Sequence, residues 1–282
     1  MKIGEFNIST IETGYVSLDG GAMFGVVPKT LWSRTNPADE LNRIILAMRL
    51  MVIKYQDRII ITDAGVGKKL NEKLSQIYNV DHNSYDLESG LKKAGILPGQ
   101  VTDVILTHLH FDHAGGSTYY DKQDQLQLTF PNAIHHVQKK HWQWALQPSE
   151  KDGASFMKEN FLPIEEHGRL NLIDGPGEFL PGLNLLLFNG HTPAMQAVLI
   201  SDNKNTLLYC ADIFPTATHI PLPYIMGYDI EPMTTLAEKK EILPRALEEN
   251  WILLFEHDPY NVAGKLVLTD KGYKLGEKID LI

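Results

Sequence analysis

The chain has 282 residues, and its 26 Lys and Arg against 35 Asp and Glu give a formal net charge of −9. Such an acidic chain is not expected to carry a broad phosphate-binding face, which favours small-molecule chemistry over nucleic-acid binding. No window approaches the ~18–20 apolar residues of a membrane span. The first residues lack the apolar core of a secretory signal, so we expect a cytoplasmic protein without a membrane partner.

The first part of the chain predicts several strands, one helix and one irregular segment. The alternating stretch KIGEFNISTIETGYVSL is typical of strands, and residues 19–32, DGGAMFGVVPKTLW, are expected to form a glycine-rich loop with exposed apolar residues. RIILAMRLMVIKY and DRIIITDAG predict two strands joined by a turn at 55–57, and VTDVILT predicts a short strand. SYDLESGLKKAGI predicts a helix that Ser84 or Asp86 would cap.

A second series of strands and helices follows. HHVQKKHWQWAL predicts a helix or a strand followed by a helix, and NLIDG, LNLLLFNG and AVLISD predict strands. TLLYCAD predicts a strand ending at Asp212, and WILLFEHDP one ending at His257. TTLAEKKEILPRALEEN predicts a helix with a break or kink near Pro244 and a solvated Lys/Glu face at 238–249. KLVLTD and YKLGEK predict a last hairpin.

Both halves of the chain place strands before helices. This pattern predicts an α/β (α+β) fold of two packed sheets with helices outside, in four layers αββα. We expect residues 1–282 to form a single domain of two structurally similar halves that meet near 165–180. The single cysteine, Cys210, lies in an apolar run and is expected to be a buried, inert thiol.

The stretch THLHFDHAGG, residues 107–116, carries four metal-binding side chains. His108 and His110 are two residues apart after a strand and can point to the same side, where imidazole nitrogens suit zinc. Asp112 and His113 follow as the chain turns. Four ligands exceed what one tetrahedral ion with an open position needs, so two divalent ions ~3.5–4 Å apart fit better.

Three further candidate ligands stand at predicted strand ends. They are His191 in NGHTPAMQ, Asp212 in TLLYCAD and His257 in WILLFEHD. Because a carboxylate has two oxygens, Asp212 could bridge both ions. Zinc is the expected metal, with manganese, iron, cobalt and nickel as alternatives.

The pattern formed by these seven residues resembles the metallo-β-lactamase superfamily of metallohydrolases. The resemblance extends from about residue 40 to 260 and implies the αββα sandwich with the metal site at one edge of its two sheets. It also implies that Asp63, in ITDAGVG, supports the motif loop from behind and orients a ligand imidazole.

A narrower resemblance rests on residues 19–32 and on Phe111 within HLHFDHAGG, which are similar to N-acyl homoserine lactonases. YtnP-like lactonases and methyl parathion hydrolase-like relatives are the nearest in pattern, which implies a quorum-quenching lactonase. One position departs, since the better-known lactonases carry a Tyr three residues after the bridging Asp, where this chain has Pro215. Thr216, His219 and Tyr224 are the candidates to replace it. The candidate substrate contacts are Phe24, Phe111, Phe214, His219 and Tyr224.

The expected chemistry is hydrolysis of a small ester-like substrate by a metal-held hydroxide. Asp112 and Asp212 are the expected catalytic carboxylates, both as ligands and Asp112 also as a proton carrier. The alternative is a phosphotriesterase or aryl esterase of the methyl parathion hydrolase type. Nucleic-acid processing of the RNase Z type is disfavoured by the acidic charge. The apolar segment 22–32 could cover a neighbour's pocket, so a homodimer is a further expectation.

Overall fold

The computed structural model describes residues 1–81 and 86–281. Its strands are β1 (Lys2–Ile3), β2 (Phe6–Asp19), β3 (Arg43–Tyr55), β4 (Arg58–Thr62), β5 (Asp103–Ile105), β6 (Thr118–Tyr120), β7 (Leu126–Leu128), β8 (Ile134–Gln138), β9 (Leu170–Ile173), β10 (Gly177–Leu180), β11 (Leu183–Phe188), β12 (Met195–Ser201), β13 (Thr206–Tyr209), β14 (Ile252–Leu254), β15 (Ala263–Thr269) and β16 (Gly272–Ile279).

The α-helices are α1 (Gly20–Phe24), α2 (Lys29–Trp32), α3 (Glu72–Ile77), α4 (Leu87–Lys93), α5 (Phe111–Ala114), α6 (Lys139–Leu146), α7 (Leu162–Glu166) and α8 (Pro232–Glu248). Asp86 caps α4 by accepting a hydrogen bond from the Ser89 N–H, as one of the two sequence alternatives predicted. The other candidate cap, Ser84, lies outside the described residues. Among the described helices, none is long and apolar enough to span a membrane.

The chain forms two compact units. Unit 1 comprises Met1–Val16 and Met48–Gly175, and unit 2 comprises Ser17–Ala47 and Pro176–Ile282. The structure contains two seven-stranded sheets and a small two-stranded one, which confirms the predicted mixed α/β class with two main sheets. The prediction of one domain built from two similar halves stays a prediction.

The first main sheet has the order β1-β2-β3-β4-β5-β8-β9. Its last four strands run parallel, and the apolar run Ile44–Ile53 of β3 is buried at nearly every position, as is typical of a strand covered on both faces. Strand β5 ends at Ile105, directly before the metal-binding motif. The motif therefore follows the carboxyl end of a parallel strand, and open α/β sheets place their ligand sites at such strand ends.

The second main sheet has the order β10-β11-β12-β13-β14-β15-β16. Strands β13 and β14 are its parallel pair, and both carry the chain toward a candidate ligand. The prediction that these strands reach Asp212 and His257 was wrong, because β13 ends at Tyr209 and β14 at Leu254. Asp212 follows a turn at Ala211, which has a φ of 47°, and His257 lies three residues beyond the end of β14.

The predicted glycine-rich loop at 19–32 is instead two short helices, α1 and α2. The Asp19 carboxylate caps α1 by accepting from the Ala22 N–H at 2.8 Å. Burial also differs from the expectation: Phe24 and Trp32 have 0% and 2% exposure, whereas Val26 is 92% exposed. The apolar residues of this segment therefore serve mainly to pack it within unit 2.

Helix α8 runs unbroken through Pro244. The proline removes one backbone hydrogen bond, but the buried side chains of Ile242, Leu243 and Ala246 fix the helix on both sides of it. The expected solvated face at 238–249 is also wrong in one position, because Lys239 is fully buried. Helix α8 therefore has a polar group on its packed face.

Strand β8 buries His135 completely. Burial, together with the neighbouring His136, lowers the pKa of this imidazole from its ordinary 6.5 to about 4. The folded state therefore holds His135 neutral at a pH where the unfolded chain binds a proton.

Stability should fall as the pH drops from about 6.5 toward 4, since only the unfolded state gains the His135 proton in that window. This side chain accounts for a loss on the order of 3 kcal/mol. We expect His135→Leu to remove that part of the acid sensitivity, measured as urea midpoints at pH 7.5 and pH 5. His167→Leu, at an exposed position, is the control. Equal midpoint shifts in wild type and His135→Leu would contradict the prediction.

Candidate metal centre

The motif of unit 1 folds tightly after β5. His108, His110, Asp112 and His113 are all buried, with exposures of 0, 8, 7 and 0%. Gly115 and Gly116 let the backbone at 64–66 approach, since a Cβ at either position would collide with the carbonyl oxygens of Val66 or Ala64. The two glycines therefore hold the motif against the turn that carries Asp63.

Asp63 organises the motif from a buried position, with a φ of 58°. It accepts hydrogen bonds from the Thr107 N–H at 2.7 Å and from the Thr107 hydroxyl at 2.8 Å. Its Oδ2 lies 3.2 Å from His113 Nδ1. Because the Thr107 proton goes to Asp63, the Thr107 oxygen accepts from His108 Nδ1 at 3.0 Å. Both imidazoles then carry their proton on Nδ1 and their lone pair on Nε2.

The motif offers two pairs of donor atoms. His108 Nε2 lies 3.0 Å from His110 Nδ1, and His113 Nε2 lies 3.9 Å from Asp112 Oδ2. Two nitrogens bound to one tetrahedral zinc at ~2.0–2.1 Å stand roughly 3.4 Å apart. The first pair therefore fits one ion, and the second pair offers a nitrogen and an oxygen to another.

In unit 2, two candidate ligand imidazoles lie beside the carboxylate of the third candidate ligand, Asp212. Asp212 Oδ2 lies 3.1 Å from His191 Nε2, and Asp212 Oδ1 lies 3.2 Å from His257 Nε2. His257 donates its Nδ1–H to the Ala47 carbonyl at 2.9 Å, which places its lone pair on Nε2. A carboxylate oxygen facing an imidazole lone pair is repulsive without a cation, so each oxygen–nitrogen pair suits a bound metal ion.

Asp229 fixes the tautomer of His191, the other ligand imidazole of unit 2. Sequence analysis did not identify Asp229. It is 2% exposed, lies 2.9 Å from His191 Nδ1, and accepts from the Thr235 hydroxyl at 2.8 Å. It therefore places the His191 proton on Nδ1 and the lone pair on Nε2, toward Asp212. In the sequence, Asp229 looks like an ordinary polar residue shortly before a helix, and no spacing pairs it with His191.

Two of the predicted substrate contacts are packed inside unit 2. Phe24 and Phe214 have 0% exposure, and Phe214 belongs to the apolar core cluster beside α8. Phe24 is stacked between Trp32 and His219, at ring-centroid distances of 5.2 and 4.7 Å. Their role as substrate contacts stays a prediction.

His219 is also buried, at 1% exposure, and serves as a connector. It donates from Nε2 to the Met23 carbonyl at 2.8 Å and accepts at Nδ1 from the Thr216 hydroxyl at 2.8 Å. Burial lowers the pKa of His219 to about 4, which agrees with a neutral ring. His219 therefore joins α1 to the segment after Pro215.

Phe111 and Tyr224 are the other two predicted substrate contacts. Tyr224 is half-buried, and Phe111, at 6% exposure, is stacked on Tyr78 at 4.7 Å. Burial, with the nearby Asp112 carboxylate, raises the pKa of Tyr78. Sequence reasoning did not single out Tyr78, because no spacing relates it to the motif.

The seven predicted ligands thus fall into two buried clusters, four residues in unit 1 and three in unit 2. In each cluster every His and Asp belongs to a group of side chains that could hold a metal ion. The hydrogen bonds at Nδ1 of His108, His113, His191 and His257 leave the Nε2 lone pairs of these rings available to a cation.

Comparison with known proteins gives an independent result. A sequence model described as the metallo-beta-lactamase superfamily matches residues 50–257. An N-acyl homoserine lactonase of Bacillus thuringiensis is 31% identical over 172 residues, which are 60% of this chain and 60% of that protein. The chain thus spans about 60% of the length of these curated relatives.

Solved structures extend the similarity over the whole chain. A probable metal-dependent hydrolase from Staphylococcus aureus is 31% identical, covers 99% of this chain and 100% of its own, and has a TM-score of 0.86. AidC, a dizinc quorum-quenching lactonase in complex with N-hexanoyl-L-homoserine, is 21% identical with a TM-score of 0.81, covering 100% and 97%. At the latter identity the likeness concerns the fold alone.

Replacing Asp229 with Ala should weaken metal binding by about 10- to 100-fold, because His191 loses the partner that sets its tautomer and ring orientation. Competition with a chromophoric chelator would measure the affinity. Glu231→Ala, two residues away and exposed, is the matched control. An affinity unchanged in Asp229→Ala would show that His191 does not depend on this carboxylate.

Proposed function

The chain belongs to the metallo-beta-lactamase superfamily, and from that premise we propose that it is a hydrolase with two divalent cations. Asp212 would offer one carboxylate oxygen to each ion. The proposed ligands are His108, His110, Asp112, His113, His191, Asp212 and His257. Zinc is the proposed metal, since imidazole and carboxylate ligands suit it.

One observation carries this proposal: the two oxygens of Asp212 face two different imidazoles. A carboxylate that serves a single ion has no need of a nitrogen donor on each oxygen. The two donor pairs of unit 1 agree with the same number of ions. A bound pair of cations would supply hydroxide at neutral pH and polarise the substrate carbonyl.

Residues of the chain would orient the ligand imidazoles and transfer the proton. Asp63 and Asp229 keep the ligand imidazoles in one tautomer, so that the donor atoms need no rearrangement during turnover. Asp112, at 7% exposure, would carry the proton released from the attacking water to the leaving oxygen. No serine or cysteine nucleophile enters this scheme, and Cys210 is buried with a pKa raised by burial.

The proposed substrate is a small lactone of the N-acyl homoserine type, which would make the protein a cytoplasmic quorum-quenching enzyme. The 31% identical lactonases support this choice. Pro215, in place of the tyrosine expected for lactonases, favours the second candidate, an aryl ester or phosphotriester. The acidic net charge supports a small molecule over a nucleic acid. A homodimer stays a prediction.

Hydrolysis of a matched panel by one metal-reconstituted preparation tests the substrate. The panel holds short- and long-chain acyl homoserine lactones, a γ-lactone, an aryl ester and an aryl phosphotriester, with a chelated control. We expect kcat/KM to be highest for the acyl lactones and chelation to abolish all activity. A higher kcat/KM for the phosphotriester would replace the lactone with the second candidate.

Replacing His108 or Asp212 with Ala should abolish metal loading and hydrolysis together, because each change removes a donor atom and leaves its partners facing one another. Metal content by elemental analysis and turnover measured on the same samples would check this. His167→Ala, at an exposed position, is the control. A His108→Ala or Asp212→Ala protein with full turnover would refute the ligand assignment.

A further inference from the structure

The turn that carries His191 joins β11 to β12, and helix α8 holds its backbone. The Glu238 carboxylate accepts a hydrogen bond from the Asn189 N–H at 2.5 Å through Oε1, and from the Gly190 N–H at 3.2 Å through Oε2. Both donors directly precede His191 in the chain. One side chain of α8 therefore uses both of its oxygens on the two residues before a candidate metal ligand.

The segment that leads into α8 binds the carbonyl groups of the same turn. The Glu231 N–H donates to the Gly190 carbonyl at 2.9 Å, and the Ile230 N–H donates to the His191 carbonyl at 3.0 Å. A Cβ at Gly190 would collide with Thr235, so the absence of a side chain lets the turn lie directly against the helix. The turn is thus bound through its N–H groups and through its carbonyl groups.

Helix α8 is itself fixed within unit 2 by Lys239. Thr235, Glu238 and Lys239 stand at positions i, i+3 and i+4 and therefore lie close together on the helix surface. Lys239 has 0% exposure, and its Nζ donates to three main-chain carbonyl oxygens at 2.6, 2.8 and 2.9 Å, those of His219, Pro221 and Tyr224. The residue next to Glu238 is therefore anchored by three bonds, which keeps the Glu238 carboxylate in one place.

The charge of Glu238 opposes the preference of its surroundings. Glu238 is half-buried, and burial raises the pKa of its carboxyl group, as do the nearby Asp229 and Glu241 carboxylates. The Asn189 and Gly190 N–H groups act in the other direction, because they stabilise the anion. A glutamine would avoid the buried charge, but its NH₂ group would face one of the two N–H groups. A carboxylate at this position therefore serves to make both bonds.

His191 is thus fixed in two independent ways. Asp229, which accepts from the Thr235 hydroxyl, sets the tautomer of the ring, and Glu238 holds the backbone from which the ring projects. An imidazole offers one lone pair, so His191 serves a single ion, whereas a carboxylate such as Asp212 has an oxygen for each of two.

We propose that Glu238 is a positioning residue for His191, and that the two backbone hydrogen bonds it accepts strengthen the binding of only one of the two metal ions. The inference deepens the proposed function and rests on it for the number of ions. Metal–nitrogen bonds keep their length within about 0.2 Å, so a turn that is free to shift further weakens the ion that His191 binds. The other ion does not use His191 and keeps its affinity.

Glu238→Gln tests the proposal, because it removes the charge and one acceptor while keeping the shape of the side chain. Glu241→Gln, at an exposed position of the same helix, makes the same change of charge and is the matched control. Each protein is stripped of metal and titrated with Zn²⁺ against a chromophoric chelator, which gives the affinity of each equivalent. Amide hydrogen exchange at Asn189 and Gly190 and the urea midpoint of the apoprotein are measured on the same samples.

We expect Glu238→Gln to speed amide exchange at Asn189 and Gly190 by about 10-fold, because one hydrogen bond is lost. One zinc equivalent should weaken by about 3- to 10-fold, while the other keeps its wild-type affinity. A purely structural role would instead lower the urea midpoint and leave the two equivalents in their wild-type ratio. Glu241→Gln should match wild type in every measurement.

Unchanged exchange at Asn189 and Gly190 would overturn the role of the two backbone bonds. Faster exchange with both zinc equivalents weakened alike, or with neither weakened, would overturn the link to a single ion. If Glu238→Gln does not fold, Glu238→Asp decides both points by the same measurements, since its shorter side chain cannot keep both bonds. A wild-type protein that binds fewer than two zinc ions would refute the proposed two-ion function, and faster exchange in Glu238→Gln would then support the backbone contact alone.

Discussion

Lone-pair donors that face one another in a buried interior are the constraint on which this structure depends. Around Asp212, two carboxylate oxygens lie within 3.2 Å of two imidazole nitrogens, and all three side chains are buried. Such an arrangement is stable only with positive charge between the donors. The turns after β13 and β14 carry Asp212 and His257 into this arrangement.

The same solution to ring orientation occurs once in each unit. In unit 1, Asp63 fixes His113 through Nδ1, and in unit 2, Asp229 does the same for His191. Both carboxylates are buried and each has a threonine hydroxyl as a second partner, Thr107 or Thr235. The threonine limits how the carboxylate can rotate, so the imidazole is held by a chain of two hydrogen bonds rather than by one.

Local sequence patterns predicted most strands and helices and the side chains that form the two buried clusters, and they failed where long-range packing decides. The motif at 107–116 and the apolar runs of the strands could be read directly, because ligand spacing and strand alternation are local properties. Asp229 could not be found, since it meets His191 across 38 residues. Lys239 looked solvated for the same reason: its acceptors lie 15 to 20 residues upstream. The sequence predicted a loop at residues 19–32 because glycines are typical of flexible segments. In the structure these glycines instead allow other parts of the chain to pack closely against the segment.

Lys239 holds the loop at 219–224 by its main-chain carbonyl oxygens, so the backbone shape of this loop does not depend on its side chains. The amine binds only main-chain oxygens, which every residue possesses, so exchanging side chains at 221–224 costs the loop none of these bonds. Selection could thus alter what the loop touches without redesigning how it is held. Substitutions at these four positions can therefore change the surface of the loop while its backbone keeps its hydrogen bonds to Lys239.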